Sequence, residues 1–303
     1  MSAAASTGPV KSPVKSRAKA RPSNVLFDAP GPRTVVRHRL YSVVALVAVL
    51  AVLAWVFVKL SDAGQLEADK WEVFTTPDYV RVLLVDGLLE TLKMAVSAII
   101  GAVVMGFLLG VGKLSDHAFV RWPCWAVVEL FRAVPVLLLM VFTWYAIGID
   151  KDGSSFWAVV IALTLYNGSV LAEVLRAGVL AVPAGQAEAA YAIGMRKTQV
   201  MNIVLMPQAA KIMLPAIVSQ CVVALKDTAL GIFVTAPGLT FVSKQIYLEF
   251  NNRVPTMIVI AALYIVVNLL LTLLASWLQR RYVGEKSPIE LTRVGNLDGG
   301  RNV

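Results

Sequence analysis

The run from Leu40 to Val58 carries no charged residue over 19 positions, and as an α-helix it would rise about 28 Å, close to the hydrocarbon thickness of a bilayer. A segment of that kind leaves few options. In lipid every backbone N–H and C=O must be bonded within the structure, which restricts spanning segments to helices or closed barrels. Five more apolar stretches follow, Leu88 to Val111, Val120 to Ile147, Phe156 to Leu180, Ile212 to Ala236 and Thr256 to Leu278. Their length is that of spanning helices and too great for barrel strands. The expected fold is all-α, a polytopic integral membrane protein of about six transmembrane helices. Composition agrees, with 58% hydrophobic and 16% charged residues in 303, against roughly 45–50% and 25% in soluble domains. Six spans and their loops use most of that length, so work done outside the membrane is expected from another chain.

The formal charge of +9 would suggest nucleic acid in a soluble protein. Here it sorts by topology instead. With the N-terminus cytoplasmic, 19 of the 28 basic residues fall in inside segments, six outside and three within spans, which favours both termini in the cytoplasm. Residues 1–39, rich in Ser, Ala, Pro and basic residues, read as a disordered cytoplasmic tail. Residues 40–60 form a first span, too long and too far from the start for a signal-peptide core. Residues 61–83, with Asp62, Glu67, Asp69, Glu72 and Asp78, read as an external segment, helical in part, and as a candidate accessory contact. The core spans 84–281 and 282–303 is a second cytoplasmic tail.

Several chemistries are excluded by residue supply. Cys124 and Cys221 are far apart in apolar sequence and read as inert thiols. His38 and His117 are the only histidines, too few for a zinc, haem or iron–sulfur centre. The nearest approach to a P-loop, around Gly112 and Lys113, has Phe107 where the first glycine is required and Leu114 where Ser or Thr is required. No catalytic or metal-binding residue is therefore assigned, and no cofactor is expected on this chain.

The connection 183–211 is the longest cytoplasmic one. Its sequence is helix-prone on both sides of Gly194, which can take the positive φ that ends a helix, and Pro207 is expected to stop a second helix. Ala189, Ala190 and Ile193, then Val200, Ile203 and Val204, form apolar faces around a polar bend at Arg196, Lys197 and Thr198. A helix, a turn and a helix of this kind suit insertion into a groove on a partner, although an ordinary amphipathic loop would have a similar pattern.

This connection resembles the EAA loop of ABC-importer permeases: Glu188, Ala189, Ala190, Gly194 and Pro207 stand at the family's spacing, with Val204 and Met206 in place of Ile and Leu. Further similarity is to the permeases of polar amino acids, the histidine, glutamate, glutamine, arginine and opine group. It runs through Gly87 to Met94, through Ala172, Glu173, Arg176 and Gly178, through Gly185 and Gln186, and through Leu225, Lys226, Asp227 and Thr228. The chain looks most like glutamate-type members, with glutamine and basic amino acids left open. Where relatives often have Phe-Arg-Gly-Thr-Pro, this chain has Phe131, Arg132, Ala133, Val134 and Pro135, so a hydroxyl available in relatives is missing.

The resemblance implies a type I ABC-importer permease fold in a prokaryotic inner membrane, surrounded by lipid. It implies two ATP-binding subunits docked on the EAA loop, with ATP and Mg held by those subunits. It further implies a second permease subunit, identical or paralogous, and an extracytoplasmic amino-acid-binding protein. Transport would proceed by alternating access. A self-sufficient ion-coupled secondary amino-acid transporter is the competing expectation, and a membrane scaffold without transport a third.

Ionisable groups within spans need partners or a polar cavity. Arg132 either lines the path and attracts a substrate carboxylate or pairs with Glu129 three residues earlier. Glu173 and Arg176 form a similar pair, and Glu173, the deeper of the two, could meet a substrate ammonium. Asn167 either bonds across helices or faces the cavity. Lys226 and Asp227, adjacent on a helix, must pair elsewhere, where the helix unwinds near Thr228, or contact substrate. The substrate-path candidates are Arg132, Asn167, Glu173 and Lys226. Ala98, Ala102, Gly106 and Gly110 recur every fourth residue, a ridge for close packing within the chain.

Overall fold

The computed structural model describes residues 32–283, so the expectations for 1–31 and 284–303 lie outside the described residues. Among the described residues there are helices and no strands. Five of the helices are long and apolar enough to cross a membrane, or six if one bent pair counts as a span.

Two units separate at Asp62. The first contains α1, Pro32–Asp62, a continuous helix whose apolar residues stay exposed along its length. It begins at Pro32 rather than at Leu40, so residues 32–39 are helical where the sequence suggested a structureless tail. A proline ring presets the φ of a first helical turn, and its missing N–H is not needed there.

The second unit opens with α2, Asp69–Glu72, and α3, Pro77–Val82. A π-helical stretch, Leu83–Leu89, leads into α4, Glu90–Lys113. Then come α5, Ala118–Ala133, α6, Val136–Ile147, and α7, Ser154–Leu180. The connection to α10, Met206–Asp227, holds α8, Ala184–Ala192, α9, Lys197–Gln199, and a π-helical stretch Val200–Leu205. α10 tightens into a 3-10 helix, Thr228–Val234, before α11, Leu239–Phe250, and α12, Arg253–Val283. The unwinding expected near Thr228 is not there; the helix tightens without a break, with Thr228 buried and its Oγ1 donating to the carbonyl of Leu225 at 2.6 Å.

The packing of α4 on α7 organises the unit. Ala98, Ala102, Gly106 and Gly110 are all buried, and a Cβ added at Gly106 would lie 2.6 Å from Leu171 Cβ and 3.0 Å from the carbonyl oxygen of Gly168. The ridge is therefore an intramolecular seam. Around it Met94, Leu139, Met140, Val159, Leu163 and Val234 form the main core, drawn from α4, α6, α7 and the 3-10 helix. A second cluster joins Leu83 to Leu239, Val242, Ile246 and Ile260, and a third joins Leu175 and Val179 to Ala209 and Met213. Thr91 Oγ1 accepts from the backbone N–H of Leu239 at 2.8 Å and so fixes the start of α11 against α4.

The stretch Val120 to Ile147 is not one straight span. α5 and α6 meet at 104°. Pro135 disfavours helical backbone at the residue before it, and Val134 is extended at φ −87°, ψ 128°. Pro207 does not stop a helix either. It is the second residue of α10, and helix runs without a break from Lys197 to Val234. The π-helical stretch Val200–Leu205 gives way to α-helix at Met206, so Pro207 stands in the first turn after a change of helical pitch.

The acidic segment after Asp62 packs on the connection between α11 and α12. Gln65 Nε2 donates to the carbonyl of Asn251 at 3.3 Å, and Asn252 Nδ2 donates to that of Lys70 at 3.1 Å. Tyr79 stands edge-on to Phe250 with ring centroids 5.1 Å apart.

Candidate functional site

Two of the four substrate-path candidates converge. Arg132 lies in the last turn of α5, two residues before the break at Val134, and Glu173 projects from α7. Both border a cavity of about 580 Å³ whose other charged walls are Lys113, Arg121, Glu129 and Arg176. An adjoining hollow of about 560 Å³ shares Glu129, Arg132 and Glu173 and continues to Tyr166 and Val170. Four cations against two carboxylates make the first cavity attractive to an anion. Trp122 and Trp125, edge to face at 5.7 Å, complete its wall.

Inside the cavity the charges are linked. Arg132 Nη1 donates to Glu129 Oε1 at 3.4 Å with both side chains about two-fifths exposed, so the pair is loose and open to a competing anion. Glu173 is held at both oxygens, by Lys113 at Oε1 and by Arg176 Nε at Oε2, 3.0 Å away. A substrate ammonium would have to share these oxygens with Lys113 and Arg176.

By its place between two apolar stretches Lys113 reads as an inside loop charge, but it is buried. It stands at the end of α4, three residues after Gly110, and its side chain is 4% exposed between Glu173 and, at 3.7 Å, Glu129. The signal was present: the spacing puts Lys113 on the face of the small-residue ridge, hence toward α7.

Asn167 and Lys226 lie elsewhere. Asn167 is 1% exposed, its Nδ2 donating to the carbonyl of Leu163 at 2.9 Å and its Oδ1 accepting from Gln220 Nε2 on α10 at 2.6 Å. Of its two expected roles the structure has the bond across helices. Lys226 borders a separate groove of about 520 Å³ between α10 and α12, with Tyr264, Asn268 and Thr272.

The 183–211 connection forms its own surface. α8 carries Glu188, Ala189 and Ala190, and Gly194 follows with φ +84°, the left-handed turn expected from its sequence. Ala190 and Val200 turn inward and are buried, while Tyr191, Ile193 and Ile203 remain exposed, Ile193 by 79%. Glu188 is exposed and has no ion pair among the described residues. Pro207 is exposed at the start of α10. Beyond the turn, Lys197 pairs with Asp116 and its Nζ donates to the carbonyl of Leu114 at 3.4 Å. The hydrogen bond from Lys197 holds the Asp116 carboxyl below its ordinary pKa of 3.8. These contacts fasten the connection to the link between α4 and α5, next to Lys113.

A family model described as binding-protein-dependent transport system inner membrane component matches residues 96–284. The glutamate transport system permease protein GluD of Corynebacterium glutamicum is 42% identical over 231 residues, 73% of this chain and 83% of its own. The glutamate/aspartate import permease protein GltK of Escherichia coli is 30% identical over 209 residues, 65% of this chain and 92% of its own. Among solved structures, a crystal structure of an amino acid ABC transporter with histidines superposes with a TM-score of 0.63 at 30% identity, covering 69% of this chain and 98% of that one.

Proposed function

The chain belongs to the binding-protein-dependent transport system inner membrane components, and on that premise we propose that it carries glutamate, or a close acidic relative, through the membrane as the permease subunit of an ATP-driven importer. The observation that carries the reading is the cation-rich cavity of Lys113, Arg121, Arg132 and Arg176, whose inner corner adjoins the link that Lys197 of the 183–211 connection grips. Glutamate carries two carboxylates and one ammonium, and a cavity with two more cations than anions favours it over neutral or basic amino acids.

The mechanism rests on two parts of this chain. The weak, half-exposed Glu129–Arg132 pair can release its guanidinium to a substrate carboxylate. The doubly held Glu173 keeps α4 and α7 together at the inner end of the cavity. ATPase subunits, which would hold ATP and Mg, would dock on the exposed Tyr191, Ile193 and Ile203 around Glu188, Ala189 and Gly194. Their approach would move α8, and through Lys197 the link beside Lys113, so that the inner corner closes as the outer side opens. Both chain ends would lie in the cytoplasm, and a binding protein would deliver the substrate from the other side.

Reconstitution tests this. Proteoliposomes containing the permease, its ATPase subunits and its binding protein should accumulate labelled glutamate only with ATP inside the ATPase compartment, and R132Q should raise the glutamate KM roughly tenfold, the loss of one charge-assisted hydrogen bond. Glutamate uptake by the permease alone would replace this reading with the ion-coupled one. ATP-dependent uptake with a preference for glutamine or arginine would leave the permease assignment and overturn the substrate.

A further inference from the structure

Glu129 stands between two cations at nearly equal distance. Its Oε1 lies 3.4 Å from Arg132 Nη1, three residues further along α5, and 3.7 Å from Lys113 Nζ at the end of α4. The two partners differ in freedom. Arg132 is about two-fifths exposed and borders both hollows, whereas the Lys113 side chain is 4% exposed and already held by Glu173. Lys113 is also the neighbour of Leu114, whose carbonyl accepts from Lys197 Nζ at 3.4 Å, and Asp116 in the same link pairs with Lys197. A carboxylate shared by Arg132 and Lys113 therefore has the cavity on one side and the grip of the 183–211 connection on the other.

We infer that Glu129 is a positioning residue that reports substrate occupancy: a carboxylate arriving at Arg132 displaces Glu129, which closes on Lys113 and draws α5 toward the end of α4. This rests on the proposed reading of the cavity as the substrate's, and it adds how the 183–211 connection registers that the cavity is filled. With the cavity empty, Glu129 supplies the countercharge of Arg132. Once a substrate supplies it instead, Glu129 would face a like charge at short range, which is unfavourable in a confined site. Lys113, 3.7 Å away, takes the displaced carboxylate. One side chain with two cations to serve is a two-state element, and a ligand that competes for one of them biases it. The move tightens the link 114–117 between α4 and α5, which is the link that Lys197 holds.

The test uses the assembled importer in proteoliposomes and reads two quantities. One is the KM for uptake, and the other is the ratio of ATP hydrolysis with loaded binding protein to that with empty binding protein. E129Q removes the charge that competes for Arg132, so KM should fall about two- to fivefold, the range an exposed ion pair is worth. The hydrolysis ratio should at the same time fall to within about twofold of one, because the relay has lost its moving charge. E129D keeps the charge on a side chain one methylene shorter. The long Arg132 side chain can follow it on the same helix, but Lys113 is pinned by Glu173. KM should therefore stay within about twofold of the parent while the ratio drops below half of the parent's. A side chain that merely supported the fold would not separate KM from the ratio in this way, and E129D carries the test alone where E129Q does not assemble. Three results would overturn the inference: an E129Q importer that keeps the parent's ratio, an E129Q importer whose KM does not fall, or an E129D importer that keeps the parent's ratio. The unaltered importer reports on the underlying reading separately. Accumulation of another amino acid would overturn the choice of glutamate, and the relay would then be measured with that amino acid; absence of ATP-driven uptake would overturn the reading and the relay with it.

Discussion

Exchange of Glu173 for Gln probes the contact that joins α4 to α7 beside the cavity. Lys113, its side chain 4% exposed, would keep only Glu129 Oε1 at 3.7 Å. Breaking a buried ion pair costs about 3–5 kcal/mol when the remaining charge has no other partner. With the half-exposed Glu129 in reach, about 2–3 kcal/mol is expected. The converse change, K113M, leaves Glu173 with Arg176 Nε at 3.0 Å and one-fifth open to solvent, so about 1–2 kcal/mol is expected. The double change K113M/E173M removes both charges and fills the space with apolar atoms, which brings the loss to within about 1 kcal/mol of the parent. A double-mutant cycle run with Met at both positions should then yield a coupling energy of at least about 2 kcal/mol. Thermal unfolding of the purified permease in detergent, followed by tryptophan fluorescence, reads these as melting shifts of about 2–4 °C per kcal/mol. Additive shifts, with the double variant the least stable, would refute the claim that the two charges hold each other in a buried site.

Three further outcomes follow from particular contacts. G106V would force a branched side chain against Leu171 Cβ and the Gly168 carbonyl, at 2.6 and 3.0 Å from the first added carbon; the α4–α7 seam should open and monodisperse protein should be lost in detergent chromatography. Gly194 has open space around it and a φ of +84°, so G194A meets only backbone strain of about 1–2 kcal/mol; membrane yield should be unchanged while ATPase activity in the assembled importer loses its dependence on loaded binding protein. For Asp116 the folded-state pKa lies below 3.8, so the contribution of its bond to Lys197 is present above the unfolded value and is lost as pH falls through the folded one. Isotope-edited infrared spectra should thus still show an Asp116 carboxylate as the majority form at pH 3.8, and the K197M variant should show a larger protonated fraction at the same pH.

The residues that could be read in advance share a local cause. The spans are visible because hydrocarbon demands twenty or so apolar residues in a row. The left-handed turn at Gly194 is visible because few other residues adopt that backbone, and the Glu173–Arg176 and Glu129–Arg132 pairs are visible because three residues of helix set their distance. The small ridge from Ala98 to Gly110 could be read as a packing seam for the same reason.

What the linear pattern left open depended on neighbours distant in sequence. Lys113 resembles a loop charge until α7 brings Glu173 beside it, 60 positions later. Asn167 had two possible roles until Gln220 on α10 took its carbonyl oxygen. Pro207 carries a helix-stopping signature, yet it stands in the first turn of α10 after a change of helical pitch, and the helix continues through it. Arg132 and Lys226 are both charges in apolar runs, each with a carboxylate close by in sequence, but the 104° bend at Pro135 turns one into a shared cavity and the α10–α12 packing leaves the other on a separate groove. Periodicity and spacing act over a few residues and are written in the chain, whereas the pairing of buried charges is a property of which helices come to lie side by side.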